Sequence, residues 1–163
     1  FPAAHFGPDV ISGDANFVLD DPTGIFFAIV SSGMFMVWQK MVGGRIKNDP
    51  RFASTVTWNT FPLPPLTPQA RQAIVRAGIS VREARASTPD LTLAQLYEPG
   101  SMTGGLQASH EHLDQIVESL FGLNPRSSTE IERQTALFSR YVEMVTGPLA
   151  PAVTQGRSRA RAK

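Results

Sequence analysis

Residues 21–44 read DPTGIFFAIVSSGMFMVWQKMVGG, and how this stretch is taken decides the fold. Asp21 has the short carboxylate of a good N-cap. Pro22 suits the first helical position, where its missing N–H would have had no partner anyway. From Ile25 to Val42 apolar residues return at helical spacing, at Ile25, Ile29, Met36, Val37 and Met41. Gly43-Gly44 stops the predicted helix. It is apolar almost all round, which calls for burial on more than one side. The uncharged run from Pro22 to Gln39 approaches bilayer-spanning length, but Pro22, Ser31, Ser32, Gly33 and Gln39 interrupt it. A buried core helix is therefore expected, and no membrane partner.

Working outward toward the N-terminus, turn signals stand at Gly7-Pro8 and Ser12-Gly13-Asp14, and Asn16 to Leu19 reads as a short strand. On the other side, Val56, Trp58 and threonines 55, 57 and 60 favour extended chain. Phe61-Pro-Leu-Pro-Pro65 cannot continue a ladder, because proline has no amide to donate. It reads as a connector and a domain boundary.

Helices follow. Thr67 caps one with Pro68 at its first position, running to about Ala86, and Thr92 to Tyr97 is a short one. Gly104-Gly105 precedes a helix over 106–121 with Leu106, His110, Leu113, Val117 and Leu120 on one stripe, ended by Gly122. Ser127 or Thr129, each with a Glu three residues on, starts the last helix as a capping box. Ile131, Leu137, Phe138, Tyr141 and Val145 are its expected apolar residues, and Gly147-Pro148 ends it. The expected fold is α+β and helix-dominated. A small α/β fragment over 1–64 is followed by a helical, bundle-like domain over 65–149 and a disordered basic tail over 150–163. No internal repeat is present.

At 163 residues, with 42% apolar and 18% charged residues, the chain can bury a core as one domain or two small ones. It begins at Phe1 without an initiator Met, in what reads as mid-domain sequence, and lacks the features of a signal peptide. The expectation is the C-terminal end of a larger protein. The net charge of +1 gives no overall basic field, yet Arg45, Lys47 and Arg51 cluster, as do Arg157, Arg159, Arg161 and Lys163. The absence of cysteine excludes disulfides and thiolate chemistry and fits a cytoplasmic location.

Catalytic signals are few. There is no Gly-rich phosphate loop and no serine nucleophile elbow. His110 and His112 lie two apart, so on a helix they point to different faces and make a poor metal pair. His110 and Asp114 are one turn apart, and a structural His–Asp contact is expected. Asp49-Pro50-Arg51-Phe52 approaches the Asp/Asn-Pro-Pro-Tyr/Phe loop of amino-methyltransferases, but its second proline is Arg, and no Gly-rich turn for S-adenosylmethionine precedes it. No catalytic residue, metal ligand or cofactor site is expected in this chain.

The alternating charges are more informative. On an extended chain, Arg45, Lys47, Asp49 and Arg51 face one way. Lys donates to guanine N7 and O6, and Asp accepts from the cytosine amino group, so Lys47 and Asp49 together suit one G·C pair. Arg45 and Arg51 suit flanking phosphates of double-stranded DNA. The competing reading is a solvated edge strand whose charges block aggregation.

Residues 25–64, from IFFAIVSSGMFMVWQKMVGG through RIKNDPRFASTVTWNTFPLP, resemble the end of the target-recognition region in MmeI-like enzymes. Those are large single-chain restriction–modification proteins and their methylase relatives. Thr92-Leu-Ala-Gln-Leu-Tyr-Glu-Pro99, Met102, Ala108-Ser-His-Glu-His-Leu-Asp114 and Phe121-Gly122 resemble the family's C-terminal helical domain. The resemblance implies a parent with a nuclease domain, a helical connector, an adenine-N6 methyltransferase domain using S-adenosylmethionine, a recognition domain and this C-terminal domain. It implies Mg as a further cofactor if the parent cleaves, and the upstream methyltransferase domain as a partner. It places Lys47 and Asp49 where the family sets one base of its site, a Lys/Asp pair there being associated with guanine. Pro50 departs from the aromatic often found in relatives, and no Pro-Asp…Glu-x-Lys nuclease motif occurs. The alternative function is a helical interaction or scaffolding domain that touches no base.

Overall fold

The computed structural model describes residues 3–14, 16–46, 49–98 and 100–147, with the backbone alone at 45, 46, 49 and 50. It is helix-dominated, as expected: α1 (Ile25–Val30), α2 (Gly33–Val42), α3 (Pro68–Ala86), α4 (Leu93–Leu96), α5 (Gly104–Leu120) and α6 (Glu130–Thr146), with a π-helical turn at Ser54–Trp58. The sheet content among the described residues is one antiparallel hairpin, β1 (Gly44–Ile46) and β2 (Asp49–Arg51). The α/β fragment expected before Pro65 is thus two helices, this hairpin and the π-turn. The basic tail and Lys47 lie outside the described residues.

The long helix expected over 25–42 is broken. Ser32 stops α1 and starts α2: its hydroxyl donates to Ile29 O at 2.7 Å and accepts from Phe35 N at 3.4 Å. Asp114 accepts the Gly33 amide at 2.6 Å, so a carboxylate from α5 completes the cap. Asp21 does cap α1, accepting from Phe27 N at 2.9 Å, but from outside it; the position before the helix is Gly24, at φ 77°. That left-handed conformation suits glycine.

Asn16–Leu19 is not a strand. Residues 54–58, expected extended for their β-branched side chains, coil into the π-turn because the hydroxyls bind locally. Thr57 Oγ1 donates to Ala53 O at 2.8 Å, and Thr60 Oγ1 donates to Val56 O. The later helices begin as expected at Thr67 and Thr129, while Gly104 and Gly105 lie inside α5 rather than before it.

One hydrophobic core runs through both sides of Pro65. α3 packs on α1 and α5, and α2 packs on α5 and α6. Ile29, Met34, Phe35 and Trp38 from the first pair of helices are fully buried with Ile74, Leu106, Leu113 and Leu137 from the later ones. At the α1–α3 crossing a Cβ on Gly78 would stand 2.7 Å from that of Ala28, so the two backbones approach as closely as glycine allows. α6 buries few of its apolar residues. Leu137 alone among its residues is fully buried, whereas Ile131, Phe138 and Val145 are exposed at 73%, 58% and 51%.

Candidate nucleic-acid interface

The hairpin starts where α2 stops. A two-stranded hairpin is marginal in water without a supporting surface, so its anchors matter. Gln39, 1% exposed, donates from Nε2 to the carbonyl of Arg51 at 2.9 Å. Gly43 lies against that amide, and a Cβ there would overlap the Gln39 side chain and carbonyl. Phe52 packs between Phe35 and Phe17, with ring centroids 6.4 and 5.0 Å away. An open depression of about 410 Å³ lies beside it, lined by Phe17, Arg51, Phe52, Ser54, Thr55 and Val56.

The register pairs Gly44 with Arg51, Arg45 with Pro50, and Ile46 with Asp49. This corrects the expectation of one extended strand with all four charges on a single face. Chain reversal between Ile46 and Asp49 puts the charges on two strands. Successive pairs of a ladder alternate faces, so positions 49 and 51 share a face and position 45 belongs to the other. Arg51 is exposed on β2. The structure therefore brings Arg45, Asp49 and Arg51 into one hairpin, with Lys47 in the segment that joins its strands.

The expected His110–Asp114 contact does not form. His110 Nε2 meets the Tyr97 hydroxyl at 2.5 Å, and that hydroxyl accepts from Arg85 Nε at 2.8 Å. The Arg85 guanidinium also donates to Ala3 O at 2.7 Å and lies over the Phe27 and Tyr97 rings at 5.2 and 5.1 Å. Burial, then the Arg85 charge, holds His110 down to about 4, against a weaker upward pull from the Ser31 main chain. Burial raises the Tyr97 hydroxyl, against the opposing pull of Arg85. A neutral imidazole accepting from a neutral phenol fits this arrangement.

Asp114 is instead pushed up to about 6, chiefly by burial, with Glu118 and Glu111 adding repulsion while Gly33 N–H and Arg133 oppose it. Glu118, 2% exposed, ties α5 to the start of α6, through Ser128 at 2.5 Å and an Arg133 ion pair at 2.9 Å. These groups brace helices. No three His, Cys, Asp or Glu side chains among the described residues converge on a metal position. No helix among them is long and apolar enough to cross a membrane.

Sequence reasoning named the charges and missed their supports. Phe17 and Phe52 gave no local signal. Gln39 did give one, as the polar exception in an apolar run.

A helical core thus carries a short charged hairpin, joined to the end of α2. Residues 1–65 match the family model described as MmeI, target recognition domain, and residues 66–148 match MmeI, C-terminal domain. The chain belongs to the MmeI family, in its target-recognition and C-terminal domains. It is 35% identical over 143 residues to DNA methyltransferase A of Bacillus subtilis (strain 168), covering 88% of this chain and 16% of that protein. A solved structure of the Type IIL restriction-modification enzyme MmeI in complex with DNA aligns with a TM-score of 0.71 at 34% identity, covering 74% of this chain and 16% of that one. The chain thus spans about a sixth of the length of either relative.

Proposed function

We propose that this chain is the DNA-recognition and supporting C-terminal part of a site-specific DNA methyltransferase, one that modifies adenine N6. It contributes no catalytic group, and its two parts divide near Pro65. In this reading Lys47 and Asp49 read one base pair from the major groove, and Arg45 and Arg51 hold flanking phosphates. The observation that carries it is the hairpin itself: Arg45, Asp49 and Arg51 gathered on two three-residue strands that are anchored to a buried amide and an aromatic cluster.

The partner is double-stranded DNA, and the methyltransferase domain lies upstream in the same polypeptide, with S-adenosylmethionine as its cofactor and Mg added if it also cleaves. Among the described residues no three metal-ligating side chains come together that could hold the Mg. Both are assigned to polypeptide outside this chain, whose placement is cytoplasmic.

The test is Lys47→Ala and Asp49→Ala in the full-length enzyme, with the methylated sequence read out. A good base-edge contact discriminates by roughly 1–3 kcal/mol, or about 5- to 150-fold. Methylation should relax at one base pair and hold at the others. An unchanged recognition sequence would refute base reading here. It would favour the second reading, a helical interaction domain, for which the outward apolar residues Ile131, Phe138 and Val145 on α6 speak.

A further inference from the structure

We infer that Gln39 is a positioning residue for base recognition: its buried side-chain amide fixes the direction in which the hairpin points. This rests on the reading of the hairpin as the base-contacting element, and it concerns a residue that touches no DNA in that reading.

Gln39 is 1% exposed near the end of a helix that is otherwise apolar on its buried side. Its Oε1 is buried and has no hydrogen-bond partner among the described residues. Met would fill nearly the same space and leave no orphaned oxygen, so core packing does not explain the amide. What the amide supplies is the bond from Nε2 to Arg51 O. Two further features serve that bond. Gly43 leaves the space in which the Gln39 side chain lies. The Gly43 amide donates to the Gln39 carbonyl at 2.9 Å, fixing the chain where it leaves the helix.

Leverage then decides the consequence. Arg51 pairs with Gly44 at the open end of the hairpin, the end joined to α2. Three residue pairs reach about 10 Å from there, so a tilt of about 10° displaces the turn by nearly 2 Å. Hydrogen bonds to base edges tolerate only a few tenths of an ångström around about 2.9 Å. Holding the open end therefore sets whether groups near the turn meet a base edge. Phe52 supports the hairpin from below, but a ring contact has no direction comparable to an amide–carbonyl bond.

The experiment uses the full-length enzyme with Gln39→Met, which keeps the volume and removes the donor, and separately Gly43→Ala, which keeps Gln39 but crowds both its side-chain amide and its carbonyl. Lys47→Ala is run alongside to identify the base pair that the hairpin reads. The readout is the ratio of kcat/KM for methylating the cognate site to that for a site changed at that base pair. A merely destabilised enzyme loses active molecules for both sites alike and leaves this ratio unchanged. Both variants are expected to lower the ratio about tenfold or more, a large part of what one base contact supplies. If Lys47→Ala lowers the ratio and neither other variant does, the positioning role is overturned while base reading survives. If Lys47→Ala itself changes nothing, base reading fails and takes the positioning role with it.

Discussion

Replacing Asp114 by Asn sets two electrostatic effects at the α2–α5 contact against each other. The carboxylate accepts the Gly33 amide at a helix N-terminus, a favourable place for negative charge worth up to about 2 kcal/mol. Burial opposes it and wins: the group is raised from 3.8 to about 6. At 1.36 kcal/mol per tenfold, that difference amounts to at most about 3 kcal/mol against the folded state once the carboxyl ionises. The sign follows from proton binding. Between pH 3.8 and about 6 the folded state holds this proton more firmly than the unfolded chain, so this contribution falls as pH rises through the window. His110 works the other way. It is lowered from 6.5 to about 4, so the unfolded chain binds its proton more firmly, and stability falls as pH drops through that window. The two terms offset each other where they overlap. Asn keeps an oxygen for Gly33 and cannot ionise. Urea unfolding across pH 4 to 7.5 should show Asp114→Asn to be more stable than the parent at pH 7.5 by about 1–3 kcal/mol, with the gain vanishing near pH 4. The variant should also lose stability on acidification more steeply than the parent, because His110 is no longer offset. A variant less stable than the parent at pH 7.5 would refute the claim that burial outweighs the helix terminus.

Gly78→Val should destabilise the fold by about 2 kcal/mol or more, read as a lower urea midpoint, because the α1–α3 crossing has no room for a side chain against Ala28. Thr129→Ala should cost about 1 kcal/mol, measured the same way, since Thr129 and Glu132 form a reciprocal capping box at the start of α6. The same substitution should raise the Glu132 pKa followed by NMR, as hydrogen bonds from Thr129 hold that carboxylate low.

Where a signal was local, the sequence could be read. Thr67 with Pro68, and Thr129 with Glu132, placed α3 and α6 because a cap needs only four consecutive residues. The break at Ser31-Ser32 was not legible, since the acceptor that completes the cap, Asp114, lies 81 residues from the Gly33 amide it binds. The π-turn was misread because β-branched residues favour extended chain, and the side-chain bonds of Thr57 and Thr60 outweighed that preference. At the candidate site, Arg45, Lys47, Asp49 and Arg51 stood out as charges. Their arrangement did not, because the spacing fits one strand as well as a hairpin, and the pairing partner decides. Tyr97 as the partner of His110 was invisible for the same reason: the residue after α4 and the side chain on α5 meet only in the folded chain.

The continuous core bears on how such proteins can be recombined. The proline-rich connector at 61–65 looks like a natural crossover point for exchanging recognition modules. Yet a chimera joined there would separate Ile29, Phe35 and Trp38 from Ile74, Leu113 and Leu137, and two foreign halves would have to match across a fully packed surface. A cassette bounded by Gly43 and Phe52 exchanges far less: two short strands and their charges, with the buried residues left in place. If the hairpin reads bases as proposed, the transferable unit is the stretch from Gly43 to Phe52, and the helical core around it is its mount.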